Sequence, residues 1–132
     1  MSVFTPAEIA FLHSQRIGHL ATVNARGEPH VVPVRFRYNP ALDAIELGGR
    51  GMGTSKKYRD AASSPSAAFV VDDRGPSGTP RGIEVRGAAE ALDSGGDAIW
   101  PDADPQHLRI RPRRVVAWGI ESDPYTPRGR DV

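Results

Sequence analysis

From residue 29 to 38 the chain reads PHVVPVRFRY, and every second residue from Val32 through Val34, Phe36 and Tyr38 is apolar. A period of two puts these four on one face of a strand and Val31, Pro33, Arg35 and Arg37 on the other. Residues 83–92, IEVRGAAEAL, alternate as strictly, with Ile83, Val85, Gly87, Ala89 and Ala91 opposed to Glu84, Arg86 and Glu90. Further β-rich runs lie at 17–23 (IGHLATV), 44–49 (AIELGG), 66–73 (SAAFVVDD) and 113–121 (RRVVAWGIE), so six strands are predicted. In the last run Trp118 keeps step with Val116 and Ile120, which assigns it to the core. NARGE, between the first two strands, has the composition of a hairpin turn.

The period turns helical twice. Thr5 as N-cap, Pro6 at the first helical position and Glu8 as capping-box partner predict a helix over 6–15. A second short helix is predicted over 54–62, with Gly53 or Thr54 at its N-cap and SSP as its stop. The stretches 74–82 and 94–106 show no period, and the tail SDPYTPRGRDV has too little apolar material to fold on its own. The expectation is one domain over 1–132 with its regular core at about 5–121 and an extended tail at 122–132. Its class is mainly β, of the α+β sort: a six-stranded antiparallel barrel with a few short helices.

Composition narrows the function. A net charge of +1, with 25% charged and 39% hydrophobic residues, describes an ordinary globular chain and gives no broad footprint for nucleic acid or a membrane surface. No cysteine is present, and His13, His19, His30 and His107 lack metal-ligand spacing, so no metal site is expected. The first residues lack a secretory signal and no run approaches the about 20 apolar residues of a membrane span, which leads to a cytoplasmic expectation.

The candidate chemistry lies in GGRGMGTSKK, residues 48–57, which holds both of the chain's lysines. A glycine loop feeding a helix start offers free backbone N–H groups and the positive end of the helix dipole, while Arg50, Thr54, Ser55, Lys56 and Lys57 add donors and charge. This is not a nucleotide-triphosphate loop, because the order G-x-x-x-x-G-K-[ST] is missing. An anion site and a solvated helix face both satisfy the stretch. Pro33 is the second irregularity, since proline donates nothing to a ladder: it marks a sheet edge, a bulge or a surface on which a planar ligand lies. RIRPRR, 109–114, fits a solvated or interface face, and Asp72–Asp73 fit solvated turn acids. No nucleophile motif and no acid–base pair stands out, so the catalytic residues are unidentified.

The order of these motifs is more specific than any one of them. GHLATVNARGEPHVVPVRFRY, then SKKYRD, AAFVVDD, GIEVRGAAE and VVAWGIE resemble the FMN-binding split β-barrel family of the pyridoxamine 5′-phosphate oxidases, and within it the actinobacterial F420-dependent oxidoreductase branch. The resemblance covers about residues 5–121. It implies a homodimer with cofactor sites at the interface. It also implies a deazaflavin (F420) or, alternatively, FMN ring against Val32, Pro33 and Val34, with the cofactor phosphate at Arg50, Thr54, Ser55, Lys56 and Lys57. Hydride transfer from reduced deazaflavin to an unsaturated or quinone-like small molecule follows as the expected activity, with an FMN enzyme or a non-catalytic carrier as alternatives. His30 is a candidate proton source, and the loop 74–81 and Trp118 are candidates to approach the ring from the second subunit. The arginine and histidine motif with which pyridoxamine phosphate oxidases grip their substrate is not recognisable at the C-terminus.

Overall fold

In a computed structural model, which describes residues 1–132, the chain forms α1 (Pro6–His13), β1 (Ile17–Val23), β2 (Pro29–Asn39), β3 (Ala44–Gly48), α2 (Lys56–Ser63), β4 (Ser66–Arg74), β5 (Pro80–Leu92), β6 (His107–Trp118) and β7 (Arg128–Asp131). The strands pair antiparallel in the order β3-β2-β1-β4-β5-β6, and a β3–β6 pairing closes them into a six-stranded barrel. The inward face expected for β2 is the one observed, with Val34, Phe36 and Tyr38 buried. They join Leu20, Phe69, Ile83, Val85, Leu108, Ile110 and Val115 in one core, where the rings of Phe36 and Phe69 lie 4.8 Å apart.

α1 begins as its capping box dictates, with Thr5 Oγ1 accepting from the Glu8 N–H and the Glu8 carboxylate accepting from the Thr5 N–H. It ends at His13 rather than at residue 15, because Ser14 turns its N–H and its hydroxyl back onto the last carbonyls.

The C-terminal third departs most from expectation. β6 starts at His107, six residues before the predicted strand, and RIRPRR lies within it. Leu108 and Ile110 point into the core, yet so do Val115 and Ala117, which have the opposite parity. The switch is a bulge: Arg86 pairs with Arg114 and Gly87 with Pro112, leaving Arg113 as the extra residue. Glycine is needed opposite, since a Cβ on Gly87 would stand 2.1 Å from the Arg111 carbonyl oxygen. The flipped parity carries Trp118 out of the core and onto the outer face, where it lies over Gly82. The tail also contributes a strand. β7 adds to the second half of β6 by backbone pairing and by ion pairs, Arg130 to Glu8 at 2.6 Å and Arg114 to Asp131 at 2.8 Å, rather than by apolar burial. No helix is long and apolar enough to cross a membrane.

Candidate functional site

β3 has five residues and β2 eleven, and this mismatch creates the site. The last β2–β3 pair is Arg35 with Gly48, so residues 29–34 pair with β1 on one side and have no strand on the other. Phe36 donates its N–H to Arg16 O on the β1 side. Antiparallel alternation therefore directs the backbone of Val34 and Val32 toward β1 as well, and that of Pro33 and Val31 outward. Pro33 sits where its missing N–H costs no ladder bond. The open edge offers the Val31 N–H and C=O and the Pro33 C=O, so of the three predicted positions only Pro33 presents free backbone. Val34 is in the core and Val32 half-buried.

The glycine loop starts at this same level, since the chain leaves β3 at Gly48, opposite Arg35. Met52–Thr54 form a single 3-10 turn, and the N-cap of α2 is Ser55, not Gly53 or Thr54. Ser55 wins because its hydroxyl accepts from the Tyr58 N–H while donating to Met52 O at 2.6 Å. Thr54 spends its hydroxyl on Gly51 O. The N–H groups of Lys56 and Lys57, first in the helix, meet no carbonyl. α2 is seated against β1 through Asp60, whose carboxylate accepts from Thr22 Oγ1 at 3.2 Å. Thr22 is the cross-strand partner of His30, so the middle of α2 is tied to the end of β1 that pairs with the start of β2.

The two lysines differ. Lys56 is exposed and paired with Asp60 at 3.4 Å, one helical turn on. Lys57 is half-buried, makes no ion pair or side-chain hydrogen bond, and has its pKa lowered by loss of solvent. A partly desolvated ammonium without a counter-ion, beside two free N–H groups, is suited to an anion. Arg50 is loosely engaged, 3.3 Å from Asp102 with both side chains mostly in solvent.

Residues 93–106 form a strap across the outside of β3. Ile99 packs over Gly48, the Asp104 N–H bonds Gly49 O, and Ala98 O accepts from Arg37. Beneath lies Glu46, 2% exposed, held by Arg37 and Arg109 at 2.8 Å each and by Asn39. His107 Nε2 stands 3.6 Å from it, and His107 Nδ1 has no partner. Arg109, placed by sequence on a solvated or interface face, is thus part of a covered ion cluster within the chain. Asp73, read as a solvated turn acid, is in β4 and binds Arg81 at 2.7 Å and Gln15 at 2.9 Å. At the tip of the strap Trp100 lies under two guanidinium groups, Arg35 at 4.3 Å and Arg50 at 5.7 Å from its ring centroid. Neither Trp100 nor Arg35 was legible as part of a site, since the strap has no period and Arg35 reads as an ordinary outward residue.

Residues 4–119 match the model of the pyridoxamine 5′-phosphate oxidase family. The chain belongs to that family. Within it, the chain is 46% identical to a 5a,11a-dehydrotetracycline/5a,11a-dehydrooxytetracycline reductase of Streptomyces rimosus, across 98% of this chain and 93% of the relative. Among solved structures it is similar to a conserved hypothetical protein, Rv2991, of Mycobacterium tuberculosis (TM-score 0.69, 23% identity, 91% of this chain and 88% of that one). It is also similar to an FAD-binding protein of Mesorhizobium loti (TM-score 0.65, 20% identity, 86% and 94%). These two share the fold. With the family and the reductase relative together, this member of the pyridoxamine 5′-phosphate oxidase family is an oxidoreductase.

Proposed function

We propose that the protein is an F420-dependent reductase that transfers a hydride from the reduced deazaflavin to an unsaturated or quinone-like organic molecule. The observation that carries this is the pairing of an open, proline-bearing β2 edge with an unpartnered, half-buried Lys57 at the start of α2. The edge fits the polar rim of a planar ring laid along Val32, Pro33 and Val34, bonded through the Val31 N–H and C=O and the Pro33 C=O. Lys57 and the free N–H groups of α2 fit the cofactor phosphate, with Arg50 and the hydroxyls of Thr54 and Ser55 alongside and Lys56 at the periphery. When bound, the reduced ring supplies the hydride; the chain supplies orientation, an anion grip and walls that exclude water. The 46% identical reductase, whose name specifies a dehydro compound, supports a substrate with a carbon–carbon double bond near oxygen functions.

The second subunit follows from the outer face. Cross-strand register lines up Val31, Ala21 and Ala68 in one row and Pro33, His19, Val70, Glu84 and Val116 in the next. Val31 is 64% and Ile17 55% exposed, and a groove of about 420 Å³ over Ala21, Val23, Ala68, Arg86 and Arg114 continues the patch. An outer face with exposed Val31 and Ile17 beside a groove rimmed by Arg86, Arg114 and Asp131 suits a twin copy, which would close the cofactor site at the interface.

Fluorescence titration with F420 and FMN is the deciding experiment. F420 is expected to bind the more tightly; preference for FMN would move the protein to the FMN enzymes of the same fold. Anaerobic oxidation of reduced cofactor with a panel of enones and quinones separates a reductase from a carrier, which would show no acceleration over free cofactor. A dimeric mass at micromolar concentration is expected by light scattering.

A further inference from the structure

Most arginines around the barrel are saturated by a carboxylate or a carbonyl: Arg37 and Arg109 on Glu46, Arg81 on Asp73, Arg111 on Glu90, Arg130 on Glu8. Arg35 makes no ion pair and no side-chain hydrogen bond, yet it is not loose, because its guanidinium rests 4.3 Å from the Trp100 ring centroid. A face-stacked guanidinium keeps all five N–H donors, which lie in its plane, available to another group. Its position is specific. Arg35 is two residues from Pro33 on the same outward face, at the point where β2 loses β3 as a neighbour. Ile99, adjacent to Trp100, covers Gly48, the strand partner of Arg35, so the stack lies at the end of β3, where the open edge begins.

We propose that Arg35, held by Trp100, is the oxyanion-stabilising catalytic residue for acceptors that carry a carbonyl conjugated to a double bond. This rests on the function proposed above. Hydride, with two electrons from the reduced deazaflavin or flavin, forms a C–H bond at the β-carbon. The π pair shifts to the α-carbon–carbonyl bond, and the carbonyl π pair moves onto oxygen. The bound cofactor would be oxidised by two electrons, and the resulting enolate would accept N–H bonds from Arg35 until water protonates it. Donors aimed at charge that develops only in the transition state act on the rate of the step more than on binding. Trp100 is a positioning residue: it fixes the cation without consuming a donor.

The test uses a stable oxyanion as probe. 4-Nitrophenol is titrated by absorbance in the presence of the full chain, with and without oxidised F420, for wild type, Arg35→Gln, Arg35→Lys, Trp100→Ala and a charge control at the hairpin tip, Arg26→Gln. In wild type and Arg26→Gln the bound phenol is expected to ionise about one pH unit lower than in water, a tenfold shift. Arg35→Gln abolishes the shift, Arg35→Lys and Trp100→Ala retain part of it, and F420 affinity is unchanged in all. With 2-methyl-1,4-naphthoquinone as acceptor, kcat for Arg35→Gln falls on the order of 100-fold with a smaller change in KM. Absence of saturable phenol binding, or equal ionisation in wild type and Arg35→Gln, overturns the proposal. A tenfold loss of F420 affinity in Arg35→Gln also overturns it, by moving Arg35 into the cofactor grip. Because the chain alone places Arg35 on Trp100, the cofactor-free titration still decides the matter if neither F420 nor FMN binds, an outcome that removes only the function proposed above.

Discussion

Arg35 and Arg37 stand two residues apart on the same outward face of β2, and their surroundings are opposite. Arg37 is fastened to the covered carboxylate of Glu46 and to Ala98 O beneath the strap. Arg35, at the last pair with β3, has only an aromatic face. One strand thus runs from a cluster whose charges are mutually satisfied to an end where Arg35 has no counter-ion, as Lys57 has none at the start of α2. The first kind holds a fold together when complete and is costly when broken. The second contributes little to stability and is kept ready for something negative from outside.

Breaking the satisfied pole should give the largest effect. Glu46→Ala leaves Arg37 and Arg109 without their shared carboxylate, and a loss of about 3–5 kcal/mol is expected in denaturant unfolding. If the midpoint and slope stay at wild-type values, the cluster is not the anchor of the strap. The same pole should control acid stability. Burial alone would raise the Glu46 carboxyl, but hydrogen bonds from Arg109, Arg37 and Asn39 outweigh it and hold the group below its usual range. A carboxylate lowered on folding contributes stability above its unfolded value of about 4.3 and loses it as pH falls through the folded value. Thermal melts of wild type should therefore drop below about pH 4, and those of Glu46→Gln should fall less steeply there.

At the open pole, Lys57→Ala should weaken F420 binding by about 1–3 kcal/mol in a fluorescence titration. Its unfolding free energy should move by less than about 0.5 kcal/mol. A large stability change with intact binding would reverse the contrast. The smallest effect belongs to Lys56→Ala, which removes an exposed pair with Asp60 and should alter both quantities by no more than about 0.5 kcal/mol. Binding lost equally in both lysine variants would show the helix start acting as diffuse charge.

The inward face of β2 is legible because Val32, Val34, Phe36 and Tyr38 repeat with one parity along an unbroken strand. Such parity fails in β6 for a physical reason: Arg113 is inserted against Gly87, and no alternation rule anticipates a residue that pairs with nothing. Glu46 is illegible for another reason. In AIELGG it reads as the polar side of a short strand, and it becomes buried only because a segment without any period, 93–106, lies across it. The glycine loop and lysines were visible by composition. That Ser55 rather than Thr54 caps α2, and that only one of two adjacent lysines is desolvated, depends on how the loop turns. Arg35 stands out only by what fails to reach it.

The bulge at Arg113 also limits how this chain can change in length. Because Arg113 is the unpaired extra residue, removing it would leave Pro112 opposite Gly87 and Arg114 opposite Arg86, with Val115 and Ala117 still inward, whereas removing one residue elsewhere in β6 would exchange inside and outside beyond it. Substitutions along the strand can be absorbed one at a time, whereas a single-residue deletion is absorbed only at the bulge. Among descendants of this sequence, gaps should gather in 75–79 and 93–106 and, within 107–118, fall only at the bulge.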